Sequence, residues 1–445
     1  MRSKKNPVVV VVSAIFAVSL SLAGPSAFAQ TLTVLHNFQN DPADGFVPSG
    51  LVMDSSGNLY GVTRYGDANY YNGIAFELSP SAGGTWTETV LHTFTGGTDG
   101  SQPVANLVLD AKGNLYGTTL YGGGGPCKTS QNAPIVGCGT VFELSPGAGG
   151  VWTEKILYAF GFKTDDGMWP YSNLVFNAAG NLYGTTSLGG SIDNQYDCFM
   201  YGNTHVGCGT VFELRPNKNG TWSEEAIHNF GDDGSMPYAG LVLDSAGNLY
   251  GTTYSGGQMG CGGEGRFPNC GVLFELTFVA GKGWRESTLP PAGFWYSTSL
   301  SVDSAGNVYG SAWDGLDSCG YDFGVGAGGA FEMSPAGGGK WTESTISGFG
   351  CASDPSPLIF DSEGNVYGTT DATNNDGGEN YPASIYEASR GSSGAWQVTI
   401  LYQFTVSVNG GQPSGGLVRD AAGNLYGTTQ LGGTHGKGVV FKLTP

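Results

Sequence analysis

The octapeptide D-S-S-G-N-L-Y-G (residues 54–61) decides the fold, because seven versions of it occur along the chain. The other six are D-A-K-G-N-L-Y-G (110–117), N-A-A-G-N-L-Y-G (177–184), D-S-A-G-N-L-Y-G (244–251), D-S-A-G-N-V-Y-G (303–310), D-S-E-G-N-V-Y-G (361–368) and D-A-A-G-N-L-Y-G (420–427). From Asn58 to Asn424 the steps are 56, 67, 67, 59, 58 and 59 residues. Such a period, with four strand-like segments per unit, is typical of β-propeller blades. The sequence therefore predicts an all-β, seven-bladed β-propeller.

One repeat, between residues 106 and 160, shows the predicted strands most clearly. Strand A is L-V-L-D (107–110), strand B is N-L-Y-G-T-T (114–119), strand C is G-T-V-F-E-L-S-P (139–146) and strand D is W-T-E-K-I-L-Y-A-F (152–160). Gly113 lies in the A–B turn, where a short hairpin needs a residue with positive φ. Side chains of strand C alternate between the two faces, as expected of a sheet strand.

The two ends of the chain complement each other. T-L-T-V-L-H-N-F (31–38) matches strand D of the later repeats, and G-V-V-F-K-L-T-P (438–445) is a strand C. We therefore expect the N-terminal strand to complete the last blade, which closes the ring and leaves no exposed sheet edge. Residues 30–445 are predicted to form a single seven-bladed domain.

The consensus G-L-V-x-D-x-x-G-N-L-Y-G, followed by G-T-V-F-E-L-S-P and W-T-E-x-x-L-x-x-F, resembles the GloVer-type tandem repeat of exported bacterial proteins. More distantly, the strand order is similar to that of NHL-type propellers. The resemblance covers residues 30–445 and implies an exported propeller. It implies no activity and no catalytic residue.

The first 29 residues have the features of an export signal. Arg2, Lys4 and Lys5 precede an apolar stretch (8–22), and A-F-A (27–29) is a small-residue cleavage motif. No later stretch is long and apolar enough to span a bilayer. We expect an exported, soluble monomer, extracellular or periplasmic, with no membrane insertion.

The charge of the chain excludes one class of partner. Without residues 1–29 the chain has 15 Lys and Arg against 37 Asp and Glu, a formal charge of −22. This field repels phosphate backbones and anionic lipid headgroups. We expect no nucleic-acid partner.

Eight cysteines in an exported chain indicate disulfides. They fall mostly in B–C loops, and local pairing gives Cys127–Cys138, Cys198–Cys208 and Cys261–Cys270, which leaves Cys319 with Cys351. A zinc site is the alternative, but the chain has no C-x-x-C or H-E-x-x-H spacing. We interpret all eight cysteines as structural.

A second motif, D-G-x-x-P, lies in the D–A loops. It occurs at residues 44–48, 99–103, 166–170 and 233–237, with N-G-G-Q-P (409–413) as a variant. A ring of carboxylates suits calcium, whereas the simpler interpretation is that each Asp caps its own turn and each Pro leads into strand A. With one carboxylate per blade we favour the turn-capping role. We expect no cofactor, with calcium as the alternative.

Tryptophan separates scaffold from candidate site. Six of the nine tryptophans begin strand D, where they are predicted to pack blade against blade: Trp86, Trp152, Trp222, Trp284, Trp341 and Trp396. The other three, Trp169, Trp295 and Trp313, lie in D–A or B–C loops, which emerge on one face of a propeller. Blade five departs most from the repeat in these loops, with P-A-G-F-W-Y-S (291–297) and W-D-G-L-D-S-C-G-Y-D (313–322).

Exposed aromatic rings beside carboxylates suit the C–H faces and hydroxyl edges of sugars. The candidate ligand-binding residues are Trp169, Trp295, Tyr296, Trp313 and Asp314. Their ligand would be a neutral carbohydrate or a protein partner. The alternative is that these rings only fill the mouth of the channel or pack the long loops.

The sequence gives little support for catalysis, and we assign no catalytic residue. No Ser has the G-x-S-x-G spacing of a nucleophile elbow. His36, His92 and His228 share one strand D position, which favours a structural role. A glycan hydrolase or lyase remains an alternative that would use acids of blade five, namely Asp314, Asp317 and Asp322. A purely structural envelope or matrix protein is the third hypothesis.

Overall fold

The computed structural model describes residues 30–445 except 40, 42, 67–70, 128–136, 192–198, 202–203, 232, 260–268, 295–299, 313–328, 349–356, 371–382, 406 and 445. The described residues form seven antiparallel blades, as the sequence predicts. Strands A to D are Phe46–Met53, Leu59–Tyr65, Ile74–Pro80 and Trp86–Thr93 in blade 1; Val108–Leu109, Leu115–Thr119, Thr140–Pro146 and Trp152–Ala159 in blade 2; Val175–Phe176, Leu182–Thr186, Thr210–Pro216 and Trp222–Asn229 in blade 3; and Val242–Leu243, Leu249–Thr252, Asn269–Val279 and Gly283–Phe294 in blade 4.

Blades 5 to 7 follow the same order. Their strands are Ser301–Val302, Val308–Ala312, Gly329–Gly337 and Lys340–Gly348 in blade 5; Ile359–Phe360, Val366–Thr370, Ser384–Arg390 and Trp396–Gln403 in blade 6; and Gly411–Arg419, Leu425–Leu431, Val439–Thr444 and Thr31–Asn37 in blade 7. Ser255–Met259 adds a fifth strand to blade 4, Gly167–Met168 pairs with Leu188–Gly189, and Phe199–Tyr201 pairs with Thr204–Val206. A 3-10 turn, Ala148–Gly150, precedes strand D of blade 2.

The N-terminal strand closes the ring as predicted. Thr31–Asn37 is antiparallel to Val439–Thr444, with Thr31 opposite Thr444 and Asn37 opposite Val439. Near the start of the A strands, the side-chain amide of Asn106 donates to Gly415 O (2.6 Å) and its Oδ1 accepts from Gly50 N (2.9 Å). One amide therefore joins blades 7, 1 and 2 across the closure.

Hydrogen bonds within the A–B turn explain the repeated octapeptide, as blade 2 shows. Asp110 Oδ1 accepts from the backbone N–H of Lys112 (2.8 Å) and Asn114 (2.9 Å). Asp110 Oδ2 accepts from Asn114 Nδ2 (2.9 Å) and from the hydroxyl of Tyr116 (3.2 Å). Gly113 has φ +86°, the left-handed conformation that the turn requires. Asp, Gly, Asn and Tyr thus form one local unit, which is why they recur together.

The hydrophobic core lies between adjacent blades. Phe160, at the end of strand D in blade 2, is fully buried and packs edge-on against Phe212 of blade 3 with ring centroids 5.2 Å apart. The last Gly of each octapeptide leaves room for the ring of strand C. A Cβ at Gly117 would lie 2.6 Å from Phe142 Cζ and 2.9 Å from Leu107 Cδ2.

The tryptophans that begin strand D pack blade against blade, which confirms the prediction. Each stacks edge-on or tilted on the octapeptide Tyr of the preceding blade: Trp86 on Tyr426, Trp152 on Tyr60, Trp222 on Tyr116, Trp284 on Tyr183, Trp341 on Tyr250 and Trp396 on Tyr309. Centroid separations run from 5.9 Å (Trp284–Tyr183) to 6.5 Å (Trp222–Tyr116). Such pairs contribute about 0.5–1.5 kcal/mol each beyond area burial.

Cys127 and Cys138 form a disulfide, with S–S 2.00 Å, which confirms the local pairing predicted for blade 2. Cys208 is also disulfide-bonded. Cys270 lies in strand C of blade 4. The other four cysteines, Cys198, Cys261, Cys319 and Cys351, lie outside the described residues. Within the described part of the chain, no helix has the length and apolar character needed to cross a bilayer.

Candidate functional site

The D–A and B–C loops lie on one face of the ring, as predicted. Gly167–Met168 in the D–A loop of blade 3 pairs with Leu188–Gly189 at the start of its B–C loop. Ser101 bridges to Tyr121 in the same way. We call this the loop face. The C–D hairpins and A–B turns lie on the opposite face.

The residue before proline in D-G-x-x-P adopts left-handed backbone geometry. The five residues at this position have φ between +53° and +57°: Val47, Gln102, Trp169, Met236 and Gln412. In blade 3, Trp169 N donates to Cys138 O of blade 2 (2.8 Å), and Trp169 O accepts from Ser187 N (3.1 Å). A left-handed non-Gly residue costs about 1–3 kcal/mol and persists only where its surroundings fix it. These backbone bonds fix it here, so the fold sets the direction in which the Trp169 side chain leaves the backbone.

Five half-buried aromatic side chains from blades 2 to 4 line the loop face beside one another. This aromatic cluster consists of Tyr121, Trp169, Tyr171, Tyr238 and Tyr254. Ring centroids are 6.0 Å apart for Tyr121–Trp169, 5.6 Å for Tyr171–Tyr238 and 5.8 Å for Tyr238–Tyr254. Burial, and then the neighbouring tyrosines, raise the pKa of Tyr238, so its hydroxyl stays protonated at neutral pH.

Of the five ligand-binding residues predicted from sequence, Trp169 belongs to this cluster. The others, Trp295, Tyr296, Trp313 and Asp314, lie outside the described residues, as do the candidate acids Asp317 and Asp322. Sequence reasoning based on tryptophan missed the tyrosines of the cluster. The sequence did contain a signal, because the residue after the motif proline is aromatic in only some blades. It is Tyr171 in blade 3 and Tyr238 in blade 4, but Val104 in blade 2 and Ser414 in blade 7.

A second constellation lies at the outer edge of the loop face, between neighbouring blades. Interblade cluster 1 consists of His36 on strand D of blade 7, Asp44 in the following loop and Glu88 on strand D of blade 1. His36 Nε2 lies 2.7 Å from Asp44 Oδ1 and 3.7 Å from Glu88 Oε2. These three side chains come from three separate segments, so the blade boundary itself builds the cluster.

Interblade cluster 2 repeats the arrangement one blade further on, with His92, Asp99 and Glu154. His92 Nε2 lies 3.6 Å from Asp99 Oδ2 and 3.7 Å from Glu154 Oε1. Asp99 also caps its own turn, accepting from Thr95 N (2.8 Å) and Thr95 Oγ1 (2.6 Å). The turn-capping interpretation of D-G-x-x-P therefore describes Asp99 correctly but incompletely. The expectation of one carboxylate per blade is wrong here, because Glu154 of W-T-E-K supplies a second.

Both clusters hold carboxyl groups in unfavourable surroundings. Burial, and then the nearby Asp44 carboxyl, raise the pKa of Glu88 to about 9. Burial raises the pKa of Glu154 to about 7, with His92 opposing the shift and Asp99 adding to it. Burial alone would also raise the pKa of Asp99, but the neighbouring His92 and hydrogen bonds from Thr95 hold it below its ordinary value.

At the boundary between blades 2 and 3, a different set of side chains surrounds the equivalent carboxyl groups. Tyr158 replaces the histidine and donates to Asp166 (3.0 Å to each carboxylate oxygen). Lys163, from the same D–A loop, forms an ion pair with Glu224 (2.6 Å) and lies 4.8 Å from the centroid of the Tyr158 ring. A cation is thus built into this blade boundary. The pair His228–Asp233 (3.1 Å) occupies the next boundary.

Comparison with known proteins identifies the repeat. Residues 25–263 and 263–445 match the profile of the Gloeobacter/Verrucomicrobia repeat, so the chain belongs to this family, and the resemblance in the sequence is confirmed. No curated protein sequence matches the chain.

Several solved structures are similar to this chain at low sequence identity. They include a Dyadobacter fermentans protein of unknown function (12% identity, TM-score 0.44, 93% of this chain and 98% of that one). A Trichoderma reesei carbohydrate-active enzyme of family AA12 has 14% identity and TM-score 0.43 over 94% and 96%. PorZ, a type-IX secretion-system surface component of Porphyromonas gingivalis, has 14% identity and TM-score 0.49 over 92% of this chain and 47% of PorZ. Identities this low carry no information on function.

Proposed function

We propose that this propeller of the Gloeobacter/Verrucomicrobia repeat family is an exported, non-catalytic binding module whose loop face takes a neutral carbohydrate. The observation that carries the proposal is the aromatic cluster. The half-buried tyrosine and tryptophan rings, with the Trp169 backbone fixed by hydrogen bonds, offer an apolar surface for sugar C–H faces, and tyrosine hydroxyls offer hydrogen bonds to sugar hydroxyls.

Charge and symmetry support the same ligand class. The chain carries a formal charge of −19, which disfavours polyanions and leaves uncharged glycans as suitable ligands. Non-aromatic residues stand at the equivalent positions of some other blades, such as Gln102 for Trp169 and Val104 for Tyr171, so the scaffold does not require the rings. Trp295 is the sequence equivalent of Trp169, and Trp313 is that of Tyr254, so we propose that blade 5 extends the surface together with Tyr296 and Asp314.

The test is a glycan array probed with the chain beginning at Gln30. Variants carry residues that the fold already accepts at the same positions of other blades. Trp169→Gln copies Gln102 of blade 2, and Tyr238→Val copies Val104. We expect selective retention of one or more neutral glycans and a loss of at least tenfold in affinity with both substitutions.

A matched control is Phe278→Ala, which removes a ring that is 59% exposed at the C–D hairpin of blade 4, on the opposite face. This variant should bind like the unmodified chain. A folded chain that retains no glycan would overturn the proposal, and so would equal loss of binding in Phe278→Ala. Release of sugar products from a retained glycan would replace the binding role with the hydrolase or lyase alternative.

A further inference from the structure

We propose that interblade clusters 1 and 2 are binding sites for a divalent transition metal of the zinc type, each ion joining two neighbouring blades. Cluster 1 would join blade 7 to blade 1, and cluster 2 would join blade 1 to blade 2. The sites are separate from the aromatic cluster, and the proposal does not depend on carbohydrate binding.

The donor atoms have the spacing of a metal site. Ligands at about 2.1 Å from zinc in a tetrahedral arrangement lie about 3.4 Å from each other. In interblade cluster 2 the His92 nitrogen lies 3.6 Å from Asp99 Oδ2 and 3.7 Å from Glu154 Oε1. All three donor atoms of each cluster lie within 4.8 Å of one another. The two distances in cluster 2 are too long for hydrogen bonds but suit atoms that share an ion.

Unsatisfied polar atoms point to a missing partner. In the described part of the chain, His92 Nε2, Glu154 Oε1 and Glu88 Oε1 are buried from solvent and form no hydrogen bond. Leaving a buried polar atom without a partner costs about 1–3 kcal/mol, and more for a charged group. Three such atoms within two equivalent clusters are difficult to explain as packing. A cation bound in each cluster would give these side chains a partner.

The charge balance indicates a cation of charge +2. Each cluster brings two carboxyl groups and an imidazole together at a buried boundary. At the equivalent boundary of blade 3, Lys163 supplies a positive charge to Glu224. The corresponding loops of clusters 1 and 2, residues 39–43 and 95–98, contain no Lys or Arg. A divalent ion neutralises both carboxylates and takes the neutral imidazole as its third ligand.

The donor set favours zinc over calcium. Calcium takes six to eight oxygen ligands, whereas each cluster offers one imidazole nitrogen and two carboxylates. Imidazole with carboxylate suits zinc, which binds well to three protein ligands and water.

The first experiment measures metal content by mass spectrometry after dialysis of the untagged chain against zinc chloride and then against metal-free buffer. We expect two zinc ions per chain, and one each in His36→Gln and His92→Gln. Glu88→Gln and Glu154→Gln keep the side-chain shape and should also leave one ion each. His435→Gln, which alters an exposed histidine in the B–C loop of blade 7, should keep two.

Thermal unfolding separates a metal site from a structural hydrogen-bond network. Zinc should raise the Tm of the unmodified chain, and a chelator should reverse the rise. Without metal, Glu88→Gln should unfold no earlier than the unmodified chain, because the raised pKa keeps Glu88 protonated at neutral pH and Gln is a neutral side chain of the same shape. Its zinc-dependent rise in Tm should nevertheless be reduced. Zinc content of zero, or content unaffected by all four ligand variants, would overturn the proposal. Calcium replacing zinc at equal stoichiometry would overturn the choice of metal.

Discussion

Replacing Gly117 by Ala tests whether the last glycine of the octapeptide is required for packing. The new Cβ would lie 2.6 Å from Phe142 Cζ and 3.0 Å from Phe142 Cε1. Carbon atoms pack at about 3.5–4.0 Å, so the methyl group is about 1 Å too close to a fully buried ring. Overpacking of this kind destabilises the fold by about 1–3 kcal/mol. Ala also lowers the conformational entropy of the unfolded chain relative to Gly, which stabilises the fold by about 0.4–1 kcal/mol. We expect the free energy of unfolding to fall by about 1–2 kcal/mol.

The assay is a double-mutant cycle, with guanidinium unfolding followed by tryptophan fluorescence. Phe142→Leu removes the ring atoms that the new methyl group would strike, so Gly117→Ala should cost about 1 kcal/mol less in that background. The control is Gly113→Ala, where a Cβ would lie 3.9 Å from its nearest neighbour but φ is +86°. Its cost arises from backbone strain and should be unchanged by Phe142→Leu. Additive effects of Gly117→Ala and Phe142→Leu would refute the packing explanation.

Three further predictions concern the same scaffold. Hydrogen bonds from Asn114 and the Lys112 backbone outweigh burial and hold the pKa of Asp110 below its ordinary value, so the aspartate stabilises the fold above about pH 4 and loses this contribution as the pH falls. Asp110→Asn should lower the free energy of unfolding by about 0.5–1 kcal/mol at pH 7. It should also make that free energy fall less steeply in acid, as measured by urea unfolding from pH 7 to pH 2. Trp152→Ala should lower the free energy of unfolding by about 2 kcal/mol by removing the ring that packs against the preceding blade, and Trp152→Phe should cost less in the same denaturant titration. Replacing Cys127 and Cys138 together by Ser should cost about 3 kcal/mol, as expected for a cross-link at sequence separation 11; calorimetry with and without reductant checks this, because the reductant should not shift the Tm through this bond in the variant.

The blade architecture was predictable from sequence because each octapeptide is a local unit. One hydrogen-bonded turn contains Asp110, Gly113, Asn114 and Tyr116, so the spacing of these residues alone predicts the A–B turn. The ring closure was predictable for a related reason: a strand D sequence at residues 31–38 and a strand C sequence at the other end need each other. The tryptophan contacts followed from position, since strand D is the outer strand of each blade.

The candidate sites were less predictable because they are assembled across blades. His92 and Glu154 are 62 residues apart, and their proximity depends on how one strand D lies beside the next. The loop length also matters, since Lys163 belongs to a D–A loop whose sequence does not align simply with the others. Sequence symmetry indicated that His36, His92 and His228 share a role, but not which carboxylates they face.

The D-G-x-x-P segment links the two proposed sites and explains why they use different residues of the same loops. Its Asp lies beside the D strands of two neighbouring blades, at the outer edge of the ring. Its residue before proline lies further in, where Trp169 contacts Tyr121 in the B–C loop of blade 2. The segment thus offers an outer and an inner position at every blade boundary. At the boundaries of blades 7, 1 and 2, histidine and glutamate lie at the outer position and form the interblade clusters. In blades 2 to 4, aromatic rings lie at the inner position and form the aromatic cluster. Because separate side chains serve each position, loss of zinc through His36→Gln should leave glycan binding unchanged, and Tyr238→Val should leave the zinc content at two.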